Sequence, residues 1–256
     1  MLVLRQKPVP AAGPDAAAIS ASSGLTANAL KAMAMAAMVL DHYAVGFLCE
    51  GSEAWILLRI LGRLTMPIIC LLIAEGCTHT SSLPRYAARL LAFAVLSHLP
   101  YTAYFGLDPL QNTSVIWGLL MGLLALALWR QRQVPLPLRV IGVALLAWLA
   151  TPADWGYITV FWVLCFGCFR QRPALRLWAF TASGVLFYLL PVVGEVLAAP
   201  YRFASYGYRL GFLLAIPLLA GYHGVLGRRN AALQYGFYVF YPAHLILLCL
   251  LKGACG

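Results

Sequence analysis

Residues 30–48 read LKAMAMAAMVLDHYAVGFL, an apolar run that carries Asp41 and His42 side by side well inside it. In a soluble helix such a pair is ordinary. At membrane depth ionisable groups are costly, and those that persist there generally serve function. Composition decides between the two settings. The chain has 256 residues, of which 62% are hydrophobic and 10% charged, with a mean hydropathy of +0.83. That balance is too apolar for a soluble domain. The expectation is an all-α protein, a polytopic transmembrane helical bundle.

Working outward from this run, the chain divides into about nine apolar stretches near the ~20 residues that a crossing helix needs. They cover 29–48, 58–76, 84–105, 114–130, 136–152, 155–169, 174–198, 208–226 and 234–251. The fifth and sixth are short and meet at a turn around Pro152–Asp154. The eighth and ninth contain Pro217 and Pro242, where kinks are expected. Residues 1–28 are rich in Ala, Pro, Ser and Gly and read as a disordered cytoplasmic extension. They lack the apolar core of a cleavable signal, so the first stretch is expected to stay in the protein. Residues 29–252 then form one transmembrane domain.

The formal net charge of +10 does not point to nucleic acid, because the basic residues gather on no soluble segment. They alternate instead. Lys31, Arg85 and Arg89, Arg130, Arg132 and Arg139, Arg170, Arg172 and Arg176, and Arg228 and Arg229 fall on one side. The opposite connections hold Glu50, Glu53, Asp108, Asp154 and Glu195, with Arg202 and Arg209 as exceptions. Under the positive-inside rule the N-terminus is cytoplasmic and the C-terminus external. Cys165-x-x-Cys168 has no second ligand pair and reads as packing thiols. No two histidines and a carboxylate share a helix at metal-ligand spacing, so no metal is expected.

Polar groups inside the apolar stretches are the candidates for chemistry. Lys31 and His42 are separated by a rise of roughly 16 Å and lie on nearly the same helix face. A phosphate-bearing carrier with a pantetheine arm would have its anionic head near Lys31 and its thioester near His42. Arg59 and Arg63, at i and i+4, share a face at the depth of Asp41, with which either can pair. Glu75 and His79 have the same spacing, which lets the carboxylate fix the imidazole's tautomer. His98 precedes Pro100-Tyr101, and His244 follows Tyr241-Pro242 in a proline-interrupted helix. Plainer readings exist for each: Lys31 as a topogenic charge, the arginines snorkelling, Glu75–His79 as an end cap, and His98, His223 and His244 as packing residues.

Taken in order, these motifs resemble the TraX family. Asp41-His42 behind Lys31, Arg59-x3-Arg63, Gly62-Arg63-x3-Pro67, Glu75-Gly76-x2-His79-Thr80, Arg89-x7-Ser97-x2-Pro100, Asn112 and Phe240-Tyr241-Pro242-x-His244-Leu245 carry the resemblance. It extends over about residues 27–252 and is less distinct between 130 and 230. The family's named member acetylates the N-terminal amine of conjugative pilin subunits in the bacterial inner membrane. Lys31-x10-His42 is also similar to the basic-x10-His signature of the acyltransferase-3 group, which draws acyl groups from cytoplasmic acyl-CoA. The resemblance implies an integral membrane acetyltransferase with acetyl-CoA as donor. It implies a pilin subunit or another envelope acceptor, and membrane lipid around the bundle. His42, Asp41 and Arg63 would be catalytic. Lys31, Arg59, Glu75, His79, Arg89, His98, Asn112 and His244 would bind donor or acceptor.

Acetyl transfer needs a base for the acceptor and a donor of positive charge to the tetrahedral oxyanion. His42 fits the first role, and Arg59 or Arg63 the second. Asp41 lies about 100° around the helix from His42, so pairing with either arginine is as open as pairing with the imidazole. Direct transfer and an acetyl-histidine intermediate are both compatible with these residues. Two other classes share the pattern: a proton-coupled small-molecule transporter, and a membrane assembly factor without catalysis.

Overall fold

The computed structural model describes residues 24–200, 203–225, 227 and 231–255. Most of the extension expected over 1–28 lies outside the described residues, as do Arg202, Arg228 and Arg229 of the charge alternation.

Each apolar stretch has become helix, and local chemistry sets the ends. Helix α1 (Ala27–Phe47) starts at Thr26, whose hydroxyl accepts from Ala29 N at 3.2 Å. Helix α2 (Glu53–Gly62) starts at Ser52, which accepts from Trp55 N at 3.3 Å. Such caps satisfy amides that have no partner within the helix. Helix α3 (Thr65–His79) follows at once, and Arg63 occupies the junction with its N–H still bonded to Arg59 O. Helix α4 (Leu83–Phe105) is closed by Gly106 in the left-handed conformation at φ 64.

Helices α5 (Val115–Arg130), α6 (Leu136–Leu149), α7 (Ile158–Cys168) and α8 (Pro173–Gly184) come next. A π-helical segment, Val185–Leu189, joins α8 to α9 (Leu190–Ala198). The single turn α10 (Phe203–Tyr206) and a 3-10 segment, Gly207–Leu214, lead into α11 (Ala215–Ala220). Pro217 thus lies in a stretch that is 3-10 and then a short α-helix, while α12 (Ala231–Cys255) runs through Pro242 without a break. The described residues are all-α; their β-bridges are isolated.

Three helical stretches, Glu53–His79, Pro173–Ala198 and Gly236–Gly253, are long and apolar enough to cross a membrane, which makes this a membrane protein. The outer faces agree. Val95, Leu99, Trp148, Trp178, Leu197 and Leu250 are all more than half exposed, and such side chains need no cover when lipid surrounds them. Inside, α3 packs on α1, α5 and α7, and α12 packs on α1 and α4. Met66, Ile68, Leu71, Leu123, Leu126, Trp162, Phe166, Phe180 and Phe212 fill the interior.

Helix α2 lies tight against α1 at Gly62, where an added Cβ would fall on the Asp41 side chain. Overpacking of this kind costs about 1–3 kcal/mol. Gly62→Ala should therefore lower the melting temperature of the purified protein in detergent. Gly194→Ala, where a Cβ meets nothing within 4 Å, should not. Equal melting of Gly62→Ala and wild type would contradict this packing.

Candidate functional site

Asp41 is buried at 8% exposure between two guanidiniums. Arg63 Nη2 donates to Asp41 Oδ1 at 2.6 Å and Oδ2 at 2.7 Å, and Arg59 Nη1 donates to Oδ2 at 2.8 Å. Of the pairings left open by the sequence, the one with the arginines is the one formed. The i, i+4 spacing places both cations on the face of α2 that meets α1.

Aromatic rings complete the cluster. Arg63 lies 4.6 Å from the Trp155 ring and 5.1 Å from Tyr208, and Arg59 lies 4.4 Å from Tyr208. Cation–π contacts of this kind gain strength when desolvated. Trp155 reaches its place at a backbone cost, since φ 66 is rare for a side chain of this size. The loop is fastened on both sides of Ala153: Thr113 N donates to Pro152 O at 2.9 Å, and Asp154 N donates to Thr113 O at 3.1 Å. Tyr188, in the π-helical segment, stacks on Trp155 at 4.9 Å and accepts from Arg63 Nη1 at 3.2 Å. Widened turns of this type are frequent at functional sites.

His42, the next residue after Asp41, points toward α12. Its Nδ1 is 2.7 Å from His244 Nε2, and the two rings are nearly parallel. His244 Nδ1 is in turn 2.9 Å from the Phe240 carbonyl. Tyr104 donates to the His42 carbonyl at 2.6 Å, and Phe105 and Tyr241 contact the imidazole edge-on.

A cavity of about 500 Å³ begins at the other end of the bundle. Lys31, Glu75, His79 and Arg89 line its mouth, and Met38, Ile69, Val115 and Tyr241 line its depth. These last four also border a small chamber of about 20 Å³ against Asp41, His42 and Arg63. The cavity with the cationic mouth and the chamber at the imidazole therefore adjoin at these four residues. Lys31 Nζ sits 6.0 Å from the Phe237 ring, and Arg89 lies between Tyr86 and Tyr238 at 5.3 Å from each. Glu75 is 3.3 Å from His79 Nε2 and is also gripped by Arg170, whose Nε donates at 2.8 Å. The Glu75 hydrogen bond holds the Arg170 guanidinium above its usual range.

The remaining candidates lie elsewhere. His98 Nδ1 is 3.3 Å from Thr113 Oγ1, and Asn112 Nδ2 donates to Asp108 O in the turn before α5. Neither borders the cavity. His223 is exposed in the turn after α11. His244 borders neither space and reaches the chamber only through His42. Cys165 and Cys168 are free thiols. No three His, Cys, Asp or Glu side chains among the described residues converge as a metal-ligand group. Sequence reading missed Arg170, taken as an ordinary topogenic charge, and the Trp155–Tyr188–Tyr208 set, which carries no motif.

Comparison with known proteins agrees with the resemblance drawn from the motifs. The sequence model of the family described as TraX protein matches residues 26–252. A probable fimbrial assembly protein FimC, serogroup H1, from Dichelobacter nodosus is 32% identical over 251 residues, covering 91% of this chain and 98% of its own. No solved structure matches the chain.

The Asp41 cluster has a measurable consequence. Asp41→Asn leaves the buried Arg63 and the partly buried Arg59 without a counter-charge, and breaking a buried pair in this way costs about 3–5 kcal/mol. Asp41→Asn should melt well below wild type in detergent, and adding Arg63→Met should recover part of the loss. Additive losses in the double variant would show that the two side chains are not coupled.

Proposed function

The chain belongs to the TraX family, and from that premise we propose that it is a multi-pass inner-membrane acetyltransferase using acetyl-CoA. The observation that carries this reading is that the cavity with its cationic mouth at Lys31 and Arg89 adjoins the chamber at His42, the two sharing Met38, Ile69, Val115 and Tyr241. With the N-terminus in the cytoplasm, that mouth opens where acyl-CoA is available. The anionic end of the donor would meet Lys31, Arg89 and His79, with its arm lying along the apolar lining and its thioester against His42.

In the transfer, the nitrogen of a neutral acceptor amine attacks the thioester carbonyl. His42 takes the proton that the amine loses. Collapse of the tetrahedral adduct breaks the carbon–sulfur bond, and CoA leaves as a thiolate that is then protonated. Arg63 supports the oxyanion. It borders the chamber, and its Nε is buried without a hydrogen-bond partner among the described residues. Asp41 holds that guanidinium in place instead of contacting the imidazole. A two-step route through acetyl-His42 uses the same groups.

The similarity to a fimbrial assembly protein supports a pilin subunit as acceptor, with its N-terminal amine as the nucleophile. The same description favours a second reading, an assembly factor that performs no transfer.

Purified protein with acetyl-CoA and a pilin N-terminal peptide should release free thiol. His42→Ala should slow that release by at least roughly 10²-fold, the scale of a lost general base. Lys31→Ala and Arg89→Ala should weaken acetyl-CoA binding, and the binding should weaken further with added salt. Thiol release by His42→Ala at the wild-type rate would remove the mechanism. Normal pilus assembly in cells carrying that variant would favour the second reading.

A further inference from the structure

We propose that His244 is a positioning residue that fixes the tautomer of His42, so that the reaction runs through His42 Nε2. The proposal rests on the acyltransferase reading above for its chemistry, but its hydrogen-bond logic does not.

The Phe240 carbonyl can only accept, so the 2.9 Å contact requires a proton on His244 Nδ1. In a neutral imidazole the other nitrogen, Nε2, then holds a lone pair. That lone pair faces His42 Nδ1 at 2.7 Å, so His42 must donate from Nδ1. The result is a defined neutral state in which His42 Nε2 is the basic, nucleophilic nitrogen. Among the described residues it has no hydrogen-bond partner, and His42 borders the chamber that adjoins the cavity.

Asp41 already faces two guanidiniums, Arg59 and Arg63, so the carboxylate next to His42 in sequence is committed to α2 and not to the imidazole. Asp154, from the α6–α7 loop, borders the chamber, and the contacts of His42 on α4 and α12 are Tyr104, Phe105, Tyr241 and His244.

The arrangement resembles a catalytic triad in logic, with a neutral imidazole where a carboxylate would orient the base. It differs in one respect. The chain of hydrogen bonds ends at the Phe240 carbonyl, so the proton taken by Nε2 has no exit through His244. It must leave by the chamber side, where the departing thiolate can take it. His244 is buried at 6% exposure and borders neither the cavity nor the chamber, which fits a residue acting through another and not one binding substrate.

The test combines a spectroscopic and a kinetic measurement. Histidine labelled with ¹⁵N gives five side chains to assign in the detergent-solubilised protein, with His42→Gln and His244→Gln identifying two of them. Wild-type His42 should carry its proton on Nδ1. In His244→Leu that preference should be lost. In turnover, His244→Leu should lower kcat by about 10²-fold with KM for acetyl-CoA unchanged, the size of a general-base defect. His244→Gln, whose amide oxygen can accept at the same place, should recover most of it and guards against loss of fold. A proton on His42 Nε2 in wild type would overturn the proposal, as would a raised KM with unchanged kcat in His244→Leu. Absence of transfer by the wild-type protein would strike the acyltransferase reading, while the tautomer measurement would still decide this one.

Discussion

The contact in which Arg63 Nη2 donates to both carboxylate oxygens of Asp41 is the constraint around which the site is organised. It joins the middle of α1 to the junction of α2 and α3, and Gly62 is what lets the two backbones come near enough. Two charges removed from water gain little net stability from meeting each other, because desolvation consumes most of the attraction. What the contact supplies is register. With Asp41 committed to α2, the adjacent His42 is turned by about 100° and directed to α12. One residue step thus separates the group that anchors the arginines from the group that faces the chamber.

That geometry explains why the chemistry and the electrostatics can be divided between neighbours. Arg63 is held on three sides, by Asp41, Tyr188 and the Trp155 ring, and borders the chamber with His42. A guanidinium immobilised beforehand needs no reorganisation when negative charge develops near it. The apolar side chains that the cavity and the chamber share keep that charge poorly screened, so each fixed donor is worth more than it would be in water.

Much of this was legible in the sequence, for physical reasons that can be named. The helix positions followed from run length and hydropathy, because a backbone in lipid has few ways to satisfy its hydrogen bonds. Asp41, Arg59 and Arg63 were readable as partners because helical spacing and shared depth constrain them. The pairing of His42 with His244 was not, since 202 residues separate them and no periodicity links one helix face to another so distant. Arg170 looked like the other basic residues near helix ends, and only the packed bundle brings it to Glu75. His98 and Asn112 belong to the same motif series as the others, yet their partners are Thr113 and Asp108, in the turn that fastens the Trp155 loop and just before it.

The π-helical segment Val185–Leu189 makes part of the site depend on the number of residues and not only on their identity. A turn of this kind holds one residue more than an α-helical turn of the same rise, so it amounts to an insertion accommodated inside a continuous helix. Arg209 occupies the Tyr188 carbonyl at 3.1 Å, and the Tyr188 hydroxyl reaches Arg63. Deleting a single apolar residue from this segment would let the helix close into regular α geometry and rotate everything before it relative to everything after it. Every side chain named in the site would still be encoded, yet Tyr188 would no longer face Arg63. Relatives that differ here by one residue would then hold the same guanidinium by other means, even where their motifs read alike.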